Sequence, residues 1–333
     1  MKPFLARCLS ASVAALAAGA TLCAPRAAHA WGDIGHKVIA RIAWNNLSPA
    51  SRTKIITLLK SAPADADLAS LRPAVTGGVG DDDADLALFE SAATWPDIVR
   101  ANRTDPEKAR NTKYHHGTWH YKDIYFEQDP ATGRVTEHPE KKADPENSIE
   151  RLGVLSAQLA DPLTDAGQKA VDIAWIEHLV GDSHMPLHNT GRITAEEPDG
   201  DQGGNKFIAG APELGRDRGT NLHYYWDNLP NAAYPALPGE SPEARLARIA
   251  DAATAALPRR IFVEGGFLQA GRFDEWNREG ADISETQVYN GLTRGQTPGP
   301  LYYGMAKRTT LVALAKAGYR LAATLDAAVA NQP

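Results

Sequence analysis

Two histidine–aspartate pairs stand where apolar residues belong, and they constrain this chain more than any other feature. Residues 165–181 carry helical periodicity, with Val171, Ala174 and Trp175 forming an apolar stripe. Extending that stripe by three and then four residues reaches His178 and Asp182. A carboxylate on a core-facing stripe is costly unless it is paired or holds a cation. A His–Asp pair at i and i+4 offers a cation one nitrogen and one oxygen. Asn221-Leu222-His223-Tyr224-Tyr225-Trp226-Asp227 repeats the spacing, with Trp226 on the same face. His188 lies between the pairs, just past Pro186, in Gly181-Asp182-Ser183-His184-Met185-Pro186-Leu187-His188. One pair alone reads equally well as a core histidine beside a helix-end aspartate. Two pairs with a histidine between them point to a metal centre, and nitrogen and oxygen ligands without sulfur suit zinc.

The surrounding chain predicts an all-α fold, one mainly helical domain with long irregular loops. Ile34, Val38 and Ile42 repeat at i+4 between 31 and 46, and further helices are expected over 49–59, 147–159, 165–181, 216–228, 241–257 and 301–328. Residues 61–85 read as a loop whose Asp81-Asp82-Asp83 run is solvated and lacks the spacing of a calcium loop. Residues 121–139 read as irregular with one short strand, and 190–214 as a Gly/Asp-rich loop. There is no internal repeat.

Residues 1–30 have the pattern of a secretory signal peptide. Lys2 and Arg7 precede a short apolar run, and Ala28-His29-Ala30 is a small-x-small cleavage site. Both cysteines, Cys8 and Cys23, fall inside it, so a mature chain starting at Trp31 can form no disulfide, thiolate zinc site or cysteine nucleophile. The segment also holds three of the 35 basic residues and none of the 41 acidic ones, so cleavage moves the formal charge from −6 to −9. An acidic chain does not grip nucleic acid with its whole surface; a polyanion would need a local positive centre. No later apolar run is long enough to span a membrane. A soluble protein, periplasmic or secreted, is expected. Cleavage would free the Trp31 amine, which a metal can deprotonate and bind together with the Trp31 carbonyl oxygen.

The mature start Trp31-Gly32-Asp33-Ile34-Gly35-His36, the Gly181–His188 string, Gly203-Gly204-Asn205 and Asn221–Asp227 together resemble one family. It is the trinuclear-zinc superfamily of single-strand-specific nucleases and bacterial zinc-dependent phospholipases C. The similarity extends to Ala317-Gly318-Tyr319-Arg320-Leu321-Ala322, and Asp227 favours the nuclease branch, since phospholipases have Glu there. The resemblance implies three Zn²⁺. One would take Asp97, His120, His178 and Asp182, with Asp182 bridging to a second held by the Trp31 amine and carbonyl and by His36. The third would take His188, His223 and Asp227. His115 and His116 lie close enough in sequence to compete with His120. His184 is expected to pack or hydrogen-bond near the site, and His138 to be solvated.

The same resemblance implies hydrolysis of single-stranded DNA and RNA phosphodiesters to 5′-nucleotides by a zinc-bridged hydroxide, with 3′-nucleotides as further substrates and a monomeric enzyme. Arg100, three residues after Asp97, is expected to add donors to the phosphate, so Asp97, Arg100 and Asp182 carry the catalytic expectation. Asn228 is expected to read the base and Asn205 to orient a ligand. Tyr125 and Tyr225 are the candidate stacking platforms. Two other readings share these residues: a phospholipase C, and a zinc-binding protein without catalysis. Scavengers tend to carry mobile His-rich tracts, whereas these histidines are dispersed over helices with matched aspartates.

Overall fold

The structure is a computed structural model. It describes residues 31–76, 78, 80–210, 220–268 and 270–330. The signal-peptide expectation, and residues 216–219 of the helix expected at 216–228, lie outside these.

The architecture is mainly helical. Helices α1 (Asp33–Asn46) and α2 (Pro49–Lys60) open it, followed by α3 (Asp81–Ala92), α4 (Trp95–Ile98) and α5 (Asp105–Tyr114). The Asp81-Asp82-Asp83 run is solvated as expected but is not loop: it forms the first turn of α3. Three carboxylates there lie against the positive end of the helix, while Leu88 and Phe89 bury its inner face. Strands β1 (Ile124–Gln128) and β2 (Val135–Glu137) follow, then α6 (Ser148–Ala160) and α7 (Ala166–Ser183).

Helix α7 starts where Asp165 caps the Gln168 amide and ends two residues before Met185-Pro186. Every residue from Lys169 to Ser183 is buried. It is wrapped by neighbours rather than faced with water on one side, because α1, α2, α3, α6 and the closing helix all pack on it. Charged groups on α7 are therefore core groups whatever face they occupy.

After α7 the chain forms β3 (Thr190–Ile193), β4 (Ile208–Ala209) and β5 (Thr220–Asn221), so the expected 190–214 loop contains two short strands. Helices α8 (Leu222–Asp227), α9 (Leu229–Ala233), α10 (Pro242–Ala256), α11 (Arg259–Glu264) and α12 (Phe273–Ile283) come next. A π-helical turn at Ser284–Val288 continues α12, and α13 (Pro300–Val329) closes the fold against α1 and α10. No helix among the described residues is long and apolar enough to cross a membrane.

Two small sheets set the positions that matter. Strand β1 lies between β2, antiparallel, and β3, parallel, in the register Ile124↔Thr190. Each of the parallel strands follows a short 3₁₀ turn, Gly117–His120 before β1 and Pro186–His188 before β3, so pairing sets His120 and His188 side by side. The Lys122 amide donates to the His188 carbonyl at 3.0 Å. The β4–β5 ribbon places Asn221, whose side chain caps α8 through the Tyr224 amide. The chain start is tied to the other end of that helix, where the Gly32 amide donates to the Asp227 carbonyl at 3.1 Å.

Candidate metal centre

Six elements converge. Helix α1 brings His36, α4 brings Asp97, the turn before β1 brings His120, α7 brings His178 and Asp182, and the turn before β3 with α8 brings His188, His223 and Asp227. Their donor atoms gather into three sets within 4.8 Å: His36, Asp97 and His178; His120, His178 and Asp182; and His188, His223 and Asp227. Asp182 stands in the middle. One of its oxygens is 3.4 Å from His36 Nε2, and the other is 3.0 Å from His120 Nδ1, 3.4 Å from His178 Nε2 and 3.9 Å from His188 Nδ1. The structure brings His36 to Asp97 and His178 as well as to Asp182, with its ring stacked on His178 at 4.0 Å. The close approach needs Gly181, where a Cβ would stand 2.7 Å from His36 Nδ1.

The tautomers carry the argument for a cation. His188 Nδ1 donates to the His120 carbonyl at 2.6 Å, and His223 Nδ1 donates to the Gly203 carbonyl at 2.7 Å. Burial pushes the His223 imidazole down to about 4 and the His188 imidazole well below its ordinary range, so both rings are neutral near pH 7. With the proton on Nδ1, each Nε2 carries a lone pair. The two Nε2 atoms nevertheless face each other at 3.1 Å. Opposed lone pairs at that distance repel unless a cation sits between or beside them. Both oxygens of the buried Asp227 also lack a hydrogen bond, and one lies 3.5 Å from His223 Nε2. His178 repeats the pattern, its Nδ1 donating to the Ala93 carbonyl at 2.8 Å. A ring nitrogen fixed by a backbone carbonyl is the arrangement that orients metal-binding histidines. The residues present fit a metal.

Electrostatics agree. Burial pushes Asp182 up to about 7 and Asp227 well above the carboxylate range, against the pull of Arg100. Burial, with the neighbouring His36, pushes His178 down to about 3. The Arg100 charge acts on His120, His178, Asp182, His188, His223 and Asp227 alike, so it adds positive potential across the site. Arg100 Nε also lies 3.4 Å from an Asp97 oxygen.

A cavity of 440 Å³ opens beside His188 and His223, walled by Tyr121, Asp123, Tyr125, Gln202 and Asn205. Tyr121 and Asp123 were not singled out by sequence; the signal available was their place within three residues of His120. Burial and the Asp201 carboxylate push Asp123 up to about 7. Tyr125 lines this cavity, whereas Tyr225 is wholly buried in the core and can stack on nothing external. Asn205 lines the cavity too, but its amide donates to the Gln202 carbonyl; the group that orients His223 is the Gly203 carbonyl. Asn228 is half-buried and accepts from Asn231, next in chain to Asp227.

The other histidines sort as follows. His116 stacks on Trp119 at 3.8 Å, and the His115 ring centre is 6.4 Å from that of His120, so His120 is the one brought to the cluster. His184 is buried and bonded to the Val180 carbonyl and to Arg320. His138 is not simply solvated: it bonds Glu140 at 2.8 Å, which raises its pKa. Trp31 is wholly buried, its Cβ against Gly35.

The S1/P1 Nuclease family model matches residues 31–330. "Endonuclease 4" of Arabidopsis thaliana is 23% identical over 321 aligned residues, covering 91% of this chain and 90% of the relative. With nearly the whole described chain matched, the protein belongs to the S1/P1 nuclease family.

Proposed function

We propose that this chain is an exported, zinc-dependent nuclease that cuts single-stranded DNA and RNA to 5′-nucleotides and also removes the phosphate of 3′-nucleotides. Residues 31–333 would be the catalytic unit and 1–30 the signal. The observation that carries the reading is the pair of opposed lone pairs on His188 and His223 beside the unbonded Asp227 carboxylate. Three Zn²⁺ would be held, on the family pattern, by Asp97, His120, His178 and Asp182; by the Trp31 amine and carbonyl, His36 and Asp182; and by His188, His223 and Asp227. The gathering of His120, His178 and Asp182 and of His188, His223 and Asp227 supports this division, while His36 is gathered with Asp97 and His178. The Asp182 carboxylate, with His36 beside one oxygen and His120 beside the other, would be shared by two of the ions. Bound zinc supplies a water of pKa near 7 in place of 15.7 and neutralises charge on the phosphoryl and leaving oxygens.

The chain's own residues do the rest. Arg100, whose Nε lies 3.4 Å from an Asp97 oxygen, would donate to the charge that builds on phosphate. Asp97, beside it, fixes that guanidinium. The 440 Å³ cavity takes the nucleotide flanking the scissile bond, with Tyr121 and Tyr125 offering ring faces and the Asp123 carboxyl a polar partner for a base edge. Such a pocket requires a base swung out of its stack, which a single strand concedes more readily than a duplex. Asn228 stands at its ligand neighbour Asp227 as a further base contact.

The test uses exported protein with a native Trp31 terminus, offered single-stranded DNA, RNA and phosphatidylcholine with and without a zinc chelator. Chelator-sensitive release of 5′-nucleotides is expected. Release of phosphocholine without nucleotides would overturn the reading, as would intact substrates with three zincs bound.

A further inference from the structure

A second cavity, of 360 Å³, lined by none of the residues of the metal sets, lies between α12 with its π-helical turn and α13. Its floor is Ser183 and His184, at the end of α7. The volume falls in the range of small-molecule sites. Nothing in the nuclease reading uses it.

Its charge is unusual for an acidic chain. Helix α13 sets Arg308, Val312 and Lys316 along one face at steps of four, with Arg320 one further step inward. Lys316 and Arg320 share one carboxylate: Glu279 lies 3.2 Å from Lys316 Nζ and 2.7 Å and 2.9 Å from two Arg320 nitrogens. Arg308 has no ion pair among the described residues, although it lines the cavity. Two cations, Arg308 and Lys316, therefore line the cavity with one carboxylate, and that carboxylate is already paired with the buried Arg320. Thr309 donates to the Gln287 carbonyl oxygen at 2.8 Å, which leaves the Gln287 amide as a neutral donor. Trp276, Ile283, Val312 and Ala313 give the same cavity an apolar wall. The π-helical turn that supplies Gln287 is a rare conformation, frequent at functional sites.

We propose that this cavity binds a phosphate monoester with an apolar or aromatic body, a nucleoside monophosphate, through Arg308 and Lys316 at the phosphate and the apolar wall at the base. The anionic group follows from Arg308 and Lys316, and the apolar body from the wall opposite them. The choice of a nucleotide as its source rests on the nuclease reading, whose product it would be.

Equilibrium dialysis of the zinc-loaded mature chain with adenosine 5′-monophosphate tests this, with inorganic phosphate as a second arm. The variants are Arg308→Glu, an exposed position that leaves the core untouched, and Val312→Trp, which fills the cavity. The wild type should bind two nucleotides per chain. R308E should weaken the second site tenfold or more, and V312W should abolish it, with cleavage of a short single strand within twofold of wild type. Phosphate alone should bind the second site at least tenfold more weakly than the nucleotide. One nucleotide per wild-type chain, or two in R308E with unchanged affinity, would overturn the proposal; phosphate binding as tightly as nucleotide would overturn the ligand assignment. Two bound nucleotides without strand cleavage would sink the nuclease reading and leave the cavity's phosphate-ester chemistry intact.

Discussion

Replacing Gly203 by Ala should weaken the metal held by His188, His223 and Asp227 without touching any ligand. Gly203 has φ +58°, and a Cβ there would stand 2.1 Å from the Leu187 carbonyl oxygen, a backbone atom that cannot rotate aside. A side chain in the left-handed region costs about 1–2 kcal/mol by itself. Relieving the overlap requires the loop to withdraw by about 1 Å, since non-bonded atoms have no well much inside 3 Å. The Gly203 carbonyl, which accepts the His223 Nδ1 proton at 2.7 Å, moves with it. Losing a partner that orients a metal-binding histidine costs about 10–100-fold in metal affinity, or about 1.4–2.8 kcal/mol. Metal content after dialysis against graded chelator reads this loss, and thermal unfolding reads the strain. Gly204→Ala is the control. Gly204 also has positive φ, but its Cβ would meet atoms only at 3.3–3.4 Å. It should lose stability and keep its metal. If Gly203→Ala held every metal within twofold of both wild type and Gly204→Ala, the orienting role of that carbonyl would be wrong.

Other expectations follow from the same geometry. Arg100→Ala should lower kcat by about 10²–10³ with metal content unchanged, because the guanidinium lies beside Asp97 without belonging to the donor sets; metal loss instead would make Arg100 structural. Metal affinity should fall with acidity through pH 7. The metal-free Asp182 carboxyl is protonated below about 7 and must ionise to bind, whereas His178 and His223, at about 3 and 4, are already neutral. Calorimetry in two buffers should show protons released on metal binding at pH 6 and fewer at pH 8; equal release would refute the assignment. One extra residue before Trp31 should remove one metal and most turnover, since it displaces the amine; full activity in the extended chain would remove Trp31 from the ligand set.

The site was legible because buried charge is conspicuous in a periodic pattern. His178 and Asp182 on the Trp175 stripe, and His223 and Asp227 beside Trp226, announced themselves by violating the rule that such faces are apolar. Asp97, His36 and His120 carry no such signal; only resemblance pointed to them, and tertiary packing brings His36 and His120 to Asp182, and Asp97 to His178, from elements up to 146 positions away in the chain. The errors have local causes. The acidic run at 81–83 looks like loop because carboxylates favour solvent, yet they favour a helix start equally, and Leu88 with Phe89 decides for the helix. Tyr225 looked like a stacking platform because α8 is short enough to leave its burial undetermined by periodicity; the structure turns it into the core. The backbone carbonyl of Gly203, which accepts from His223 Nδ1, is a contact that no side-chain pattern can report. These cases share one physical basis. Sequence periodicity specifies which face of an element is buried, and a charged group there exposes a site. It does not specify which backbone oxygen will stand behind a histidine. That depends on loops such as 200–205, whose path is set by positive-φ residues and by the strands they join. The fixed ring tautomers, and with them the lone pairs that face one another across the third set, are therefore properties of the fold and not of the motif.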